Sequence, residues 1–213
     1  MLKTLLTLGL IGLLAAALLS SVHLATRDRI ASEQQRQALA TLNQLVPESG
    51  YDNELIEDRF SAWISGLSSP STIYRARMES EPVALLADVT TPDGYSGDIR
   101  LLVGIEPDGE VIGVRILEHR ETPGLGDKIE LKRTDWLRQF TGKSLGAPPA
   151  EAWAADRRGG AFDTLSSATI TSAAVIEAVR NVLAWYSANR DNAFELEAQS
   201  SASSSGSEDK GKQ

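Results

Sequence analysis

Apolar residues recur with several different spacings along this chain, and each spacing predicts a different element. From Leu5 to Leu24 they run for about twenty residues without a charge, long enough to cross a hydrocarbon core of about 30 Å as a helix. Lys3 precedes the run; Arg27, Asp28 and Arg29 follow it. A cleaved signal peptide has a shorter apolar stretch and a small-residue site before a polar start. Here Ala15-Ala16-Ala17 leads into further apolar residues, so residues 1–26 are read as an uncleaved membrane anchor. The flanking charges do not fix its orientation, because that rule weakens for a long translocated domain. From Thr26 to Val46 the pattern becomes helical. Ile30, Ala38, Leu39, Leu42, Leu45 and Val46 form a stripe between Glu, Gln and Arg residues, and Pro47 ends it. This predicts an amphipathic linker helix over residues 27–47.

Alternation then replaces the helical period. Thr72–Arg77 and Val83–Thr90 read as strands, followed by a turn at Pro92-Asp93-Gly94. Asp98–Glu106 places Ile99, Leu101, Val103 and Ile105 on one face. Pro107-Asp108-Gly109 supplies a tight reversal, and Glu110–Leu117 returns with Ile112, Val114 and Ile116 on one face. An antiparallel meander is predicted. A Gly-rich loop, Thr122-Pro123-Gly124-Leu125-Gly126, leads to a helix around Thr134–Phe140. Next comes a loop with Pro148, Pro149, Gly159 and Gly160. A last helix is predicted from near Thr171 or Ser172 to about Ala188, burying Val175, Val179, Val182, Leu183 and Tyr186. The domain is taken as residues 48–195. The Ser-rich, charged tail, residues 196–213, has nothing to bury and is expected to be disordered. The fold class is α+β.

Composition narrows the chemistry. The chain has 213 residues, 21 Lys and Arg against 29 Asp and Glu, and a net charge of -8. That balance excludes a nucleic-acid surface, which needs a basic surplus. There is no cysteine, so disulfides, iron–sulfur ligation and thiolate chemistry are excluded. His23 lies in the apolar run, which leaves His119 as the one usable imidazole. Redox chemistry here requires a bound organic cofactor.

Two segments carry candidate chemistry. Ser166-Ser167-Ala168-Thr169-Ile170-Thr171 holds four hydroxyls in six residues, after Asp163 and at a helix start. Free N–H groups and the positive end of the helix dipole suit a phosphate there; a simple Ser/Thr N-cap explains only one hydroxyl. Glu118–Lys128 contains Gly124 and Gly126 around Leu125. Glycines allow close backbone approach to a flat ring while a leucine covers it, and Lys128 can meet a negative charge; a plain turn leaving a strand is the simpler reading. A third segment, Gly94-Tyr95-Ser96-Gly97, reads as a glycine turn carrying an amphipathic tyrosine.

Taken together and in order, the anchor, Gly94-Tyr95-Ser96-Gly97, the hairpin, Glu121-Thr122-Pro123-Gly124-Leu125-Gly126 and the hydroxyl-rich segment resemble a known family. It is the G subunit of the Rnf (Rsx) ion-translocating electron transport complex, with the FMN-binding domain it shares with the C subunit of the sodium-pumping NADH:quinone oxidoreductase. The resemblance implies an N-terminal transmembrane helix and an antiparallel-sheet FMN-binding domain with flanking helices. It also implies single-pass anchorage in the cell inner membrane, a periplasmic soluble domain, and other subunits of a ferredoxin:NAD oxidoreductase complex as partners. In that family a flavin transferase uses FAD to place FMN on the last threonine of Ser/Thr-Gly-Ala-Thr-x-Thr. Carried over, Thr171 is the phosphoester acceptor, Thr169 the preceding threonine and Asp163 the upstream acid. Ser166, Ala168, Glu121, Thr122, Gly124, Leu125, Gly126 and Lys128 complete the expected FMN site. Ser167 stands where the family has glycine, so reduced tolerance of modification is expected rather than its loss. The C-type relative shares this plan, but the short length and Arg120-Glu121-Thr122-Pro123 favour the G type. A flavin-free, membrane-tethered interaction module is the reading if Ser167 blocks modification. A stand-alone flavin reductase lacks the expected dinucleotide fingerprint after a strand.

Overall fold

In this computed structural model the described residues are 35–195, with isolated positions at 9, 12, 13, 16 and 33. The predicted anchor, the first part of the linker helix and the tail lie outside them. Among the described residues no helix is long and apolar enough to cross a membrane. The chain divides into two units, Met1–Thr41 and Leu42–Gln213. In the first, residues 35–41 are helical. The second holds the sheet and the candidate site.

Its centre is a five-stranded antiparallel meander: β1 (Arg59–Ala62), β2 (Ser71–Met78), β3 (Glu81–Gly94), β4 (Gly97–Ile105) and β5 (Val111–Glu118), in that spatial order. A 25-residue helix, Thr169–Ala193, packs on β3 and β4. Alternation puts Leu85, Ala87 and Val89 of β3 and Ile99, Leu101, Val103 and Ile105 of β4 on the helix side. Val175, Val179, Val182, Leu183 and Tyr186 meet them at the helical period anticipated above, each 2% exposed or less. The tyrosine hydroxyl donates to the Pro107 carbonyl at 3.0 Å, tying the helix to the β4–β5 hairpin.

The other sheet face is covered at its centre by Leu45. Gly104 and Gly113 are cross-strand partners, and a Cβ on Gly113 would lie 2.9 Å from a Leu45 methyl. Leu42 and Val46 are buried beside it in sequence. The apolar end of the linker stripe thus belongs to the domain's packing.

Several elements differ from the pattern-based reading. Pro92-Asp93-Gly94 is not the turn: β3 runs through Gly94, which pairs with Gly97, and the reversal is Tyr95-Ser96. The register shift between Thr91 and Gly94 accommodates Pro92, which has no N–H to give the ladder. In β5 a second shift, between Gly104 and Ile105, pairs Ile105 with Val111. It places Val111 and Val114, rather than Ile112, in the core. β1 was missed because four residues with one deeply buried side chain, Phe60, carry little pattern. Thr134–Phe140 forms only a 3-10 turn, Trp136–Phe140, too short to pay helix nucleation. The last helix begins at Thr169 and ends at Ala193, two residues earlier and five later than anticipated.

The segment between β5 and that helix is irregular but not loosely held. Phe162 stacks on Phe140 and meets Trp153 at a tilt, with ring centroids 5.2 and 4.4 Å away. The Trp153 indole donates to the Ser144 carbonyl at 3.0 Å. These aromatic contacts hold the lead-in to the hydroxyl-rich segment.

Leu45→Ala opens a cavity over the two glycines and should destabilise the full-length chain by about 3 kcal/mol, read from denaturant unfolding. A loss below about 0.5 kcal/mol would show that Leu45 does not hold this sheet face.

Candidate functional site

The helix start is unusual in its cap. The N-cap residue is Ala168, which makes no side-chain cap hydrogen bond. The first helical bond runs from the Ser172 N–H to the Ala168 carbonyl at 2.9 Å. The N–H groups of Thr169, Ile170 and Thr171 therefore have no partner among the described residues, as the first turn of a helix leaves them unless something caps it. The hydroxyls do other work. Ser172 Oγ donates to the Ala168 carbonyl and accepts from the Leu165 N–H at 3.0 Å, folding the preceding segment onto the helix. Thr171 Oγ1 donates to Glu121 Oε2 at 2.7 Å. An N-cap role for these hydroxyls is thus replaced by tertiary contacts.

Glu121 reaches the helix from the loop after β5. It is 5% exposed and Thr171 1%. The other carboxylate oxygen, Oε1, accepts from the Ser96 N–H at 3.1 Å, joining the β3–β4 turn. Its backbone N–H donates to His119 Nδ1 at 3.0 Å. With Nδ1 accepting, the imidazole proton sits on Nε2 and is shared with Glu130 Oε1 at 3.0 Å. Hydrogen bonds from Lys132 and then His119 hold the Glu130 carboxyl below its ordinary range. A depressed carboxyl contributes stability above its unfolded value, lost as pH falls through the folded one. The brace on the loop therefore weakens only in acid.

After Glu121 the chain turns tightly. The N–H groups of Leu125 and Gly126 both donate to the Thr122 carbonyl, at 3.1 and 3.0 Å. The Gly124 N–H donates to Asp127 Oδ1 at 2.8 Å. The two glycines answer different constraints. Gly124 has φ +79° with open space around its absent Cβ; Gly126 has the Glu121 carboxylate 2.6 Å from where a Cβ would sit. Gly94 is confined in the same way, with the Gly97 carbonyl at 2.2 Å and Glu121 Oε1 at 2.9 Å from its absent Cβ. At Gly126 the close approach is to Glu121 alone; at Gly94 the Gly97 backbone is nearer than Glu121.

Between this loop, the Tyr95 turn and the helix start lies a cavity of about 410 Å³, within the range of small-molecule sites. Thr171 and Glu121 line it together, and Leu125 and Ile170, 47% and 53% exposed, bring apolar surface.

Comparison with known proteins matches residues 94–184 to the FMN-binding domain and residues 1–45 to the RnfG N-terminal region. The chain is 41% identical to the G subunit of the ion-translocating oxidoreductase complex of Pseudomonas aeruginosa (strain UCBPP-PA14), over 90% of this chain and 91% of that protein. Against the G subunit of the same complex from Shewanella loihica it is 42% identical, over 86% and 88%. The chain belongs to the G-subunit family of ion-translocating oxidoreductase complexes. A solved structure, the C subunit of the Na(+)-translocating NADH-quinone reductase of Parabacteroides distasonis, covers 60% of this chain and 64% of its own at 20% identity, with a TM-score of 0.44.

Of the two related families the sequence resembles, membership falls on the G type. Within this G-family domain the structure gathers Thr171, Thr169, Ser166, Ala168, Glu121, Thr122, Leu125 and Gly126 around one cavity. Gly124 and Lys128 do not line it. Gly124 shapes the turn, and the Lys128 ammonium lies 3.5 Å from Ser167 Oγ. Asp163 lines a different cavity, with Gln139 and Lys143. Its backbone is fixed there, the N–H donating to Gln139 Oε1 at 2.8 Å and the carbonyl accepting from the Trp136 indole at 2.7 Å. Tyr95, Ser167 and Ile170 line the main cavity without having been singled out as site residues. The signals available were the Gly-Tyr-Ser-Gly turn and an apolar residue exposed inside a hydroxyl-rich run.

The glycine constraints make a direct test. Gly126→Ala must push Glu121 aside and should cost about 2 kcal/mol. Gly124→Ala meets only the backbone penalty, about 1 kcal/mol. Thermal melts in the reverse order would contradict the close packing of Gly126 on Glu121.

Proposed function

We propose that this chain is a membrane-anchored electron-transfer subunit of an ion-translocating oxidoreductase complex, carrying FMN esterified through its phosphate to Thr171. The observation that carries the attachment point is the Thr171 hydroxyl. It belongs to a residue that lines the cavity, is bonded to a buried carboxylate, and lies in the helical turn whose three amide N–H groups have no partner among the described residues. Those amides and the helix dipole suit the oxygens of a phosphodiester. The exposed faces of Leu125, Ile170 and Tyr95 suit a flat, largely apolar ring. The residues present therefore fit FMN.

Bound FMN supplies reversible uptake of one or two electrons. The protein's own residues place it. The helix start fixes the phosphate end, while the Glu121–Gly126 loop and the Tyr95 turn shape the other walls. Family membership supports residues 1–26 as the anchor and the other subunits of the complex as partners. The proposal includes a flavin transferase as the maturing enzyme and the periplasmic side of the inner membrane as the location.

Thr169 is a second candidate acceptor, favoured by its greater exposure: it is half-buried where Thr171 is buried. Substitution separates the two. Thr171→Ala should abolish covalent flavin, read as fluorescence of the denatured full-length chain after co-expression with the transferase. Thr169→Ala should lower it only in part. Full labelling of Thr171→Ala, with loss in Thr169→Ala, would move the site to Thr169. No added mass on the wild-type chain would leave the flavin-free interaction module.

Ser167 carries its own prediction. It is exposed, and its hydroxyl makes only 3.5 Å contacts, to the Lys128 ammonium and the Leu125 carbonyl. Ser167→Gly should leave flavin occupancy equal or higher. A clear fall would assign those contacts a part in attachment.

A further inference from the structure

We propose that His119, which does not line the cavity, is a positioning residue that holds the Glu121–Gly126 wall in place and so sets how much water reaches the flavin. This rests on the reading that FMN occupies the cavity, and it adds how the environment of the ring is fixed. A backbone N–H can only donate. The Glu121 N–H donates to His119 Nδ1 at 3.0 Å, so that nitrogen carries no proton and the imidazole is neutral. Its single proton is on Nε2, which donates to Glu130 Oε1 at 3.0 Å. Glu130 is suited to accept it. Lys132, 2.5 Å from the other carboxylate oxygen, and His119 hold the Glu130 carboxyl below its ordinary range. The two side chains are only 13% and 21% exposed. A carboxylate of this kind fixes both the tautomer and the orientation of an imidazole. Here the nitrogen so fixed holds a backbone amide.

That amide belongs to the residue on which the walls of the cavity converge. The Glu121 carboxylate accepts from Thr171 and from the Ser96 N–H, and Gly126 leaves room for it. Esterification of Thr171 removes the hydroxyl hydrogen that Oε2 receives. Among the described residues, the Ser96 N–H and His119 are then the polar contacts that still hold Glu121. Neither His119 nor Glu130 lines the cavity, so both act on it through the loop. Glu121 is 5% exposed. Its N–H, deprived of an acceptor, has to find water, and the loop must shift to admit it. Water beside the ring favours the negatively charged reduced flavin, which raises the potential.

Asparagine and glutamine divide the two contacts of the imidazole. The Asn amide oxygen takes the place of Nδ1, and the Gln amide takes the place of Nε2. His119→Asn therefore keeps the acceptor for the Glu121 N–H, while His119→Gln keeps only the contact with Glu130. In the flavin-bearing full-length chain, spectroelectrochemical titration should find the potential of His119→Gln raised by about 30 mV, a tenfold change in a two-electron equilibrium. His119→Asn should stay near wild type. Equal shifts, no shift in either, or the larger shift in His119→Asn overturns the positioning role.

Backbone hydrogen exchange reads the same contact without relying on the flavin. The Glu121 amide should exchange slowly in wild type and in His119→Asn, and about tenfold faster or more in His119→Gln. A fast Glu121 amide in the wild-type chain overturns the hold, and it decides even if the variants misfold. Failure of the FMN reading shows separately, as a wild-type chain without flavin whose Glu121 amide is still protected.

Discussion

The hydrogen bond between Thr171 and Glu121 joins residues fifty positions apart, and much of the site's local geometry is arranged around it. A buried carboxylate has to be satisfied on both oxygens. Oε2 is satisfied by the helix and Oε1 by the β3–β4 turn. One side chain thus pins three separate pieces of chain to each other. Its bulk also explains why position 126 has no side chain, since a Cβ there would press on it, while at Gly94 the Gly97 carbonyl is the nearer obstacle. The cavity is the space left where the three pieces meet.

What holds those pieces steady lies further out. The sheet and the long helix share a continuous apolar interface, and Tyr186 anchors that helix to the hairpin end. At the opposite end of the same helix the first turn is left uncapped by any side chain. The hydroxyls of Thr171 and Ser172, inside its first turns, bond to Glu121 and to the Leu165 amide. An end with free donors costs little while solvent can reach it, and it is well suited to an anion when one arrives. The clustered rings of Phe140, Trp153 and Phe162 keep the approach to this turn in place without regular secondary structure.

The sequence made some of this legible and hid the rest for physical reasons. Period-two and helical spacing marked β2 to β5 and the five large side chains by which the last helix faces the sheet, because burial imposes those periods directly. Register shifts are invisible to such patterns, and so Ile112 was placed on the wrong face and the Pro92 turn two residues early. The helix start was read late because a hydroxyl was expected at the N-cap, whereas Ala168 occupies that position and makes no side-chain cap. The residues of the site were mostly legible as segments. What joins them was not: a contact between Glu121 and Thr171 has no local signature, and the reasons for Gly124 and Gly126 differ although both stand in one short motif. Asp163, close in sequence to Thr171, is turned toward a different cavity by Gln139 and Trp136.

The account turns on which oxygen bears the flavin. Fragmentation mass spectrometry of the peptide spanning Asp163 to Arg180, taken from wild-type chain matured in its own membranes, locates it directly. The account predicts an FMN-sized phosphodiester on Thr171 and none on Ser166, Ser167 or Thr169. The same mass on any of those three, or an unmodified peptide, would contradict it.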